Sequence, residues 1–186
     1  MSKDFFYTDF AKLSKFKWDF LLNVKDIDKW ETLSNYFKIY YEELNNKISI
    51  KKKIPKKIHQ IWIGPQKIPK RYLNWGKSWI INNPEWEYKL WTNREINQLS
   101  MRNRTLYDST NNIGFKSDIA RYEILYKYGG IYIDTDFECI REIPNNLRYF
   151  DFVACLGFDY TPTILNGFLM SSKRSFIIKK IISELK

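Results

Sequence analysis

The run "GGIYIDTDFE", residues 129–138, ends an apolar, β-branched stretch in carboxylates. Asp134 and Asp136 stand one residue apart, and Glu138 follows at the same spacing. In an extended chain side chains alternate faces, and next-but-one residues lie roughly 6.6 Å apart. Ile131, Ile133 and Thr135 would then share one face, with Tyr132, Asp134, Asp136 and Glu138 on the other. Carboxylates gathered on one face repel each other unless water screens them or a cation neutralises them. Hard cations such as Mg2+ and Mn2+ take oxygen ligands, commonly one or two carboxylates completed by substrate phosphates. Spacing alone leaves two readings open, a solvated strand end and a metal site. The same Asp-x-Asp at Asp26 and Asp28 has a structural explanation, because it opens a helical pattern where carboxylates cap free amides and complement the helix dipole.

The preceding segment, "KSDIARYEILYKYGG", reads as a helix over 117–128 stopped by Gly129-Gly130. It sets Asp118 and Arg121 one turn apart, near the helix N-terminus. One reading is an intrahelical ion pair worth about 0.3–0.5 kcal/mol. The other is an arginine held by an aspartate so that it faces phosphate or sugar hydroxyls.

Taken together, "SDIARYEILYKYGGIYIDTD" resembles the donor-site segment of the DXD glycosyltransferases of the GT-A fold. The nearest groups are the Och1-like sugar transferases and the glucosyltransferase domains of large clostridial toxins. Their pattern of Ser-Asp, two residues, Arg, a Gly-Gly step, an aromatic and Asp-x-Asp is matched by Ser117, Asp118, Arg121, Gly129, Gly130, Tyr132, Asp134 and Asp136. "IHQIWIG" resembles the strand these families place first, and the resemblance implies that Trp62 packs on the nucleotide base. An indole face suits that task because stacking tolerates any base ring and excludes water; a core aromatic is the alternative for Trp62. "LNGFLMSS" resembles a third segment, whose Asn contacts the donor sugar, which points to Asn166. The resemblance runs from about Pro55 onward.

What it implies is a GT-A fold, a Rossmann-like α/β domain, transferring a hexose from a UDP- or GDP-hexose with Mn2+ or Mg2+ and retention of anomeric configuration. The acceptor would be a glycan, glycolipid or protein. By analogy Asp136 coordinates the metal, while Asp134 serves the ribose or donor sugar, or the metal through its water shell. Asp118 and Arg121 hold sugar hydroxyls and orient the ring, and Tyr132 joins Trp62 and Asn166 in the donor pocket. Relatives continue with a segment that supplies a further metal ligand and much of the acceptor site, and this chain stops at Lys186. The expectation is therefore a donor-binding domain over 54–186 without that part. The rival reading is a non-catalytic nucleotide-sugar or carbohydrate-binding module.

The elements that must position these residues follow from the pattern. Strand-like runs "KIHQIWIG", "WEYKLW", Ile131–Asp136, Phe150–Leu156 and Ile164–Met170 alternate with helical stretches at 68–83, 93–99, 117–128 and 175–186. Such alternation indicates an α/β layered fold with a mostly parallel sheet, whose ligands bind beyond the carboxyl ends of strands. Before it, Ile27, Trp30, Leu33, Phe37, Tyr41, Leu44 and Ile48 recur at helical spacing, so residues 1–53 read as a helical N-terminal segment. His59, the sole histidine, reads as a packed strand residue without a catalytic role.

With 44% hydrophobic and 18% aromatic residues, the 186-residue chain can bury a core and is not generally disordered. Its formal charge of +10 favours an anionic partner, a Lys-, Asn- and Ile-rich composition bias with no partner being the alternative. Specific nucleic-acid binding is disfavoured, because the best-defined residues are acidic and repel phosphate unless a metal intervenes. The N-terminal helix and "KKKIPKK" read as a solvated basic surface, with peripheral association at an acidic membrane as the alternative. Cys139 and Cys155 lie in apolar, strand-like runs and read as buried free thiols, one bridge being the alternative. No signal-peptide core or membrane-span run is evident, so the expected setting is cytoplasmic.

Overall fold

The computed structural model describes residues 53–156 and 164–185, together with Asn35. The helix expected from Ile27 lies outside the described residues. The chain divides into two compact units, one of residues 51–155 and 166–186, the other of residues 1–50 and 156–165. The sheet and its helices belong to the first, except for Leu156, Ile164 and Leu165 at the ends of two strands.

Five strands form one sheet: β1 (Lys57–Ile61), β2 (Glu87–Trp91), β3 (Gly130–Ile133), β4 (Phe152–Leu156) and β5 (Ile164–Ser171), in the order β2-β1-β3-β5-β4. β1 runs parallel to both β2 and β3, and β5 returns antiparallel to β3. The helices are α1 (Lys70–Asn82), α2 (Asn93–Asn97), α3 (Arg104–Ser109), α4 (Ile113–Tyr128) and α5 (Phe176–Glu184). This is the mostly parallel α/β sheet that the alternating pattern predicts.

Strand alternation divides the core between the two faces. Ile58, Ile131, Ile133 and Met170 pack with Trp79 of α1 and with Ile54, Cys139 and Ile143. Ile61, Trp91, Tyr132 and Leu169 face the other way, onto Ile119, Ala120, Ile124 and Leu125 of α4 and Ile178 and Ile182 of α5. Each strand of the sheet's centre therefore serves two cores, which is why the runs that form them are apolar at successive positions.

Three details depart from the sequence expectation. α4 begins at Ile113 instead of Ser117, because the Asn112 side chain accepts the Phe115 N–H at 3.1 Å and starts the helix a turn early. Asp118 thus lies in the second turn, away from the helix end. α3 has no counterpart in the expected elements, since its apolar positions, Leu106 and Tyr107, are too few to reveal a period. Cys155 is exposed, because β4 is an edge of the sheet; Cys139 is buried, and neither is bridged.

Gly129 and Gly130 turn the chain from α4 into β3 with φ of 65° and 104°. A Cβ at Gly130 would stand 2.4 Å from the Lys57 carbonyl oxygen, so β1 approaches too closely for any side chain. His59 secures this corner: its Nε2–H donates to the Gly129 carbonyl at 2.9 Å, and its Nδ1 accepts the Trp91 indole N–H at 3.2 Å. The packed role expected for His59 is the one it has.

Candidate functional site

The parallel pairing of Ile58 with Ile131 and His59 with Tyr132 brings β1 and β3 to an end together. Trp62 stands one residue past β1, and Asp134 one residue past β3. Because β5 runs antiparallel, pairing Phe168 with Ile133, its early residues Asn166 and Gly167 arrive at the same end. Asp118 and Arg121 reach it from α4. The topology thus gathers side chains from three widely separated segments beyond the carboxyl ends of two parallel strands, where α/β sheets bind ligands.

Arg121 is the centre of the cluster. Its side chain is only 6% exposed. The guanidinium donates to Asp118 Oδ1 at 2.8 Å, to the Asn166 carbonyl at 2.7 Å and to the Ser117 carbonyl at 3.5 Å, and lies 3.5 Å from Asp134 Oδ1. Its carbon sits 4.4 Å from the centre of the Tyr132 ring, a cation–π contact in a desolvated setting. Asn166 closes the ring by donating to Asp118 Oδ1 at 3.0 Å. Arg121 therefore holds the two aspartates and the β5 strand with donors aimed inward, and the acceptors Asp118 and Asp134 keep 36% of their side-chain surface open.

Asp134 is tied from every side. The Tyr132 hydroxyl donates to its Oδ1 at 2.6 Å, and burial pushes that phenol above its ordinary pKa, so it remains a neutral donor. The Asp134 N–H donates to the Gly167 carbonyl at 2.9 Å, and the Gln60 side chain donates to the Asp134 carbonyl at 3.0 Å. A Cβ at Gly167 would fall 2.7 Å from Asp134 Oδ2, so only glycine leaves the carboxylate its place.

Here the extended-strand expectation fails. β3 ends at Ile133, and the Phe137 N–H bonds back to the Asp134 carbonyl at 3.3 Å, so Asp134 to Phe137 form a turn. Asp134 keeps the parity of Tyr132, but Asp136 and Glu138 do not continue a strand face. Both are exposed, and among the described residues Asp136 has no hydrogen-bond or ion-pair partner. No group of three or more His, Cys, Asp or Glu side chains gathers as a ready-made metal cage among the described residues. Two carboxylates on one turn nevertheless form an all-oxygen donor set, the kind a hard cation completes with substrate oxygens.

Asp118, Arg121, Tyr132, Asp134 and Asn166 are thus brought into one bonded cluster, with Asp136 on the same turn. No hydrogen bond or ring contact joins Trp62 to them. It is half-buried, donates its indole N–H to the Gln66 carbonyl at 2.8 Å, and meets Tyr72 edge-on at 5.7 Å between ring centres. Two residues that position the cluster were not foreseen, Gln60 and Gly167. A buried amide inside the apolar run "IHQIWIG" is the signal that marks Gln60.

Residues 69–153 match the family described as "glycosyltransferase sugar-binding region containing DXD motif". Over 100 residues the chain is 40% identical to inositol phosphoceramide mannosyltransferase 3 of Schizosaccharomyces pombe, a match covering 52% of this chain and 28% of that protein. The chain therefore spans less than a third of that relative. Among solved structures it is similar to the PaToxG glycosyltransferase, with a TM-score of 0.63 at 20% identity over 85% of this chain and 70% of that one. It is also similar to the catalytic domain of alpha-toxin from Clostridium novyi, with a TM-score of 0.57 at 13% identity over 98% and 67%. The matched family segment contains α4, the Gly129-Gly130 corner and the Asp134–Asp136 turn in full. Residues 69–153 are thus similar to a glycosyltransferase sugar-binding region of the DXD type, and the fold is the GT-A fold of the two glycosyltransferase structures.

Proposed function

We propose that this chain binds a nucleotide diphosphate sugar through a divalent cation and takes part in transfer of its hexose to an acceptor. One observation carries the reading: the site presents three carboxylates, Asp118, Asp134 and Asp136, and the buried Arg121 guanidinium is engaged by the first two. The remaining charge is negative, so a diphosphate is repelled unless a cation stands between. Asp136 and Asp134 would hold Mn2+ or Mg2+, which supplies neutralisation of the charge that develops on the leaving diphosphate. The open acceptor oxygens of Asp118 and Asp134 suit sugar hydroxyls, and Arg121 fixes their separation. Tyr132 donates its proton to Asp134 and keeps that carboxylate aimed. Asn166 presents the β5 end to the sugar side, and the Trp62 indole offers a face for the base.

Residues 54–186 form the donor-binding part in this proposal, and the hexose leaves with retained configuration. The mannosyltransferase relative supports a hexose donor and, through the lipid in its name, a glycolipid acceptor ahead of a glycan or protein. The test is release of nucleoside diphosphate from a panel of UDP- and GDP-hexoses, with Mn2+ or EDTA, with and without glycolipid acceptors. Release that needs both the metal and an acceptor supports the proposal. Absence of release from every donor, with acceptors present, contradicts transfer.

A further inference from the structure

Among the described residues, the main chain of the Asp134–Asp136 turn is not held by a neighbouring strand beyond Asp134. It is held by side chains of β1 and α1. Gln60 donates to the Asp134 carbonyl at 3.0 Å, and its own carbonyl accepts the Tyr88 hydroxyl at 2.7 Å, which fixes the orientation of the amide. The Trp79 indole N–H donates to the Phe137 carbonyl at 2.9 Å. Asn82 donates to the Cys139 carbonyl at 2.9 Å and to the Ser78 carbonyl at 3.0 Å. The Ser78 hydroxyl accepts the Cys139 N–H at 2.8 Å. Carbonyls at 134, 137 and 139 and the N–H at 139 are therefore each satisfied by a side chain from outside the turn.

The same helix reaches the other part of the site. Tyr72, in the first turn of α1, meets Trp62 edge-on and stacks on Trp75 at 5.4 Å between ring centres, with Arg71 4.8 Å from the Trp75 ring centre. The Ser78 hydroxyl donates to the Trp75 carbonyl at 2.6 Å. α1 thus touches Trp62 with its first turn and the carboxylate turn with its last.

We propose that Ser78, Trp79 and Asn82, with Gln60, are positioning residues. They set the carboxylate turn in its binding shape before any ligand arrives, and α1 fixes its spacing from Trp62. The inference rests on reading the turn as a cation and nucleotide site. A turn ordered during folding needs no ordering on binding, so it binds more tightly than one that must be fixed at that moment. Toward the site, Ser78, Trp79 and Asn82 act through the backbone at Phe137 and Cys139, the end of the turn and the segment that leaves it, so they are distinct from the carboxylates that would touch ligand.

The test compares wild type with Ser78→Ala, Asn82→Ala and their double variant, and with Ser78→Thr, which keeps the hydroxyl. Amide hydrogen exchange at residues 135–139 is read without ligand, and affinity is read with Mn2+ plus UDP or GDP. The expected result is exchange at the turn about tenfold faster in the double variant while β1 and α4 are unchanged, since each lost bond removes local protection. Affinity should fall about tenfold, turn protection should return when nucleotide binds, and Ser78→Thr should behave as wild type. Unchanged exchange at the turn, or equal acceleration throughout the sheet, would overturn the proposal. If Asn82→Ala does not fold, Ser78→Ala alone carries the same comparison. If wild type binds neither nucleotide, the reading of the site fails, and ligand-free exchange still decides the role of α1.

Discussion

Lowering the pH from 7 to 5 should cost the folded protein about 2 kcal/mol through one side chain, His59. Burial depresses its pKa from 6.5 to about 4, opposed in part by the hydrogen bond to the Gly129 carbonyl. The unfolded chain therefore takes up this proton at a higher pH than the folded one. Stability is fully present above the unfolded value, falls as pH drops below about 6.5, and levels off below about 4. The whole effect is roughly 3 kcal/mol, of which about 2 kcal/mol lies between pH 7 and 5. The structural cost is specific: a proton on Nδ1 would face the Trp91 indole N–H, donor against donor, at the corner that leads from α4 into the carboxylate turn. The assay is urea unfolding at half-unit steps from pH 7 to 5 in wild type and His59→Gln. Since the chain has one histidine, the difference in slope belongs to it. Equal slopes in the two proteins, whatever their absolute stabilities, would mean that His59 is not the group that loses stability on protonation.

Three further substitutions test the site. Gly167→Ala places a methyl 2.7 Å from Asp134 Oδ2, so denaturant unfolding should show a loss of about 1–3 kcal/mol, and nucleotide titration should show weaker binding; an unchanged titration would refute the close approach. Arg121→Met leaves Asp118 and Asp134 without their counter-charge and should cost roughly 3 kcal/mol in urea unfolding, near the lower end for buried pairs because both partners are partly open. A loss under about 0.5 kcal/mol would mean that solvent already screens them. Trp62→Ala should lower nucleotide affinity about tenfold in calorimetry while the fold survives, as expected for a lost stacking surface; unaltered affinity would remove Trp62 from the site.

The sequence was informative where periodicity and special residues coincide. The five strands and the long helices were legible from apolar alternation, and Gly129-Gly130 marked a corner that the backbone confirms with positive φ at both positions. Asp118 and Arg121 were legible as neighbours because one helix turn sets their spacing, and Asp134 joined them only through the resemblance to the donor-site segment. The turn was not legible: "IDTD" reads as strand by parity, and it is the Phe137 N–H bonding back to the Asp134 carbonyl, with the Gln60 amide from a distant segment on that same carbonyl, that shows the strand stops. The inward aim of Arg121 was hidden for the same reason, since it depends on Asn166, which lies 45 residues away. Long-range polar contacts of this kind leave no periodic trace.

The central claim is a cation-dependent nucleotide site on the Asp134–Asp136 turn. Its most direct test is calorimetric titration of UDP and GDP with Mn2+, repeated in EDTA and with Asp136→Asn. One nucleotide should bind with Mn2+, EDTA should abolish binding, and Asp136→Asn should weaken it at least about tenfold with melting unchanged. Binding of equal strength in EDTA or in Asp136→Asn, or no binding by the folded wild type, would contradict the claim.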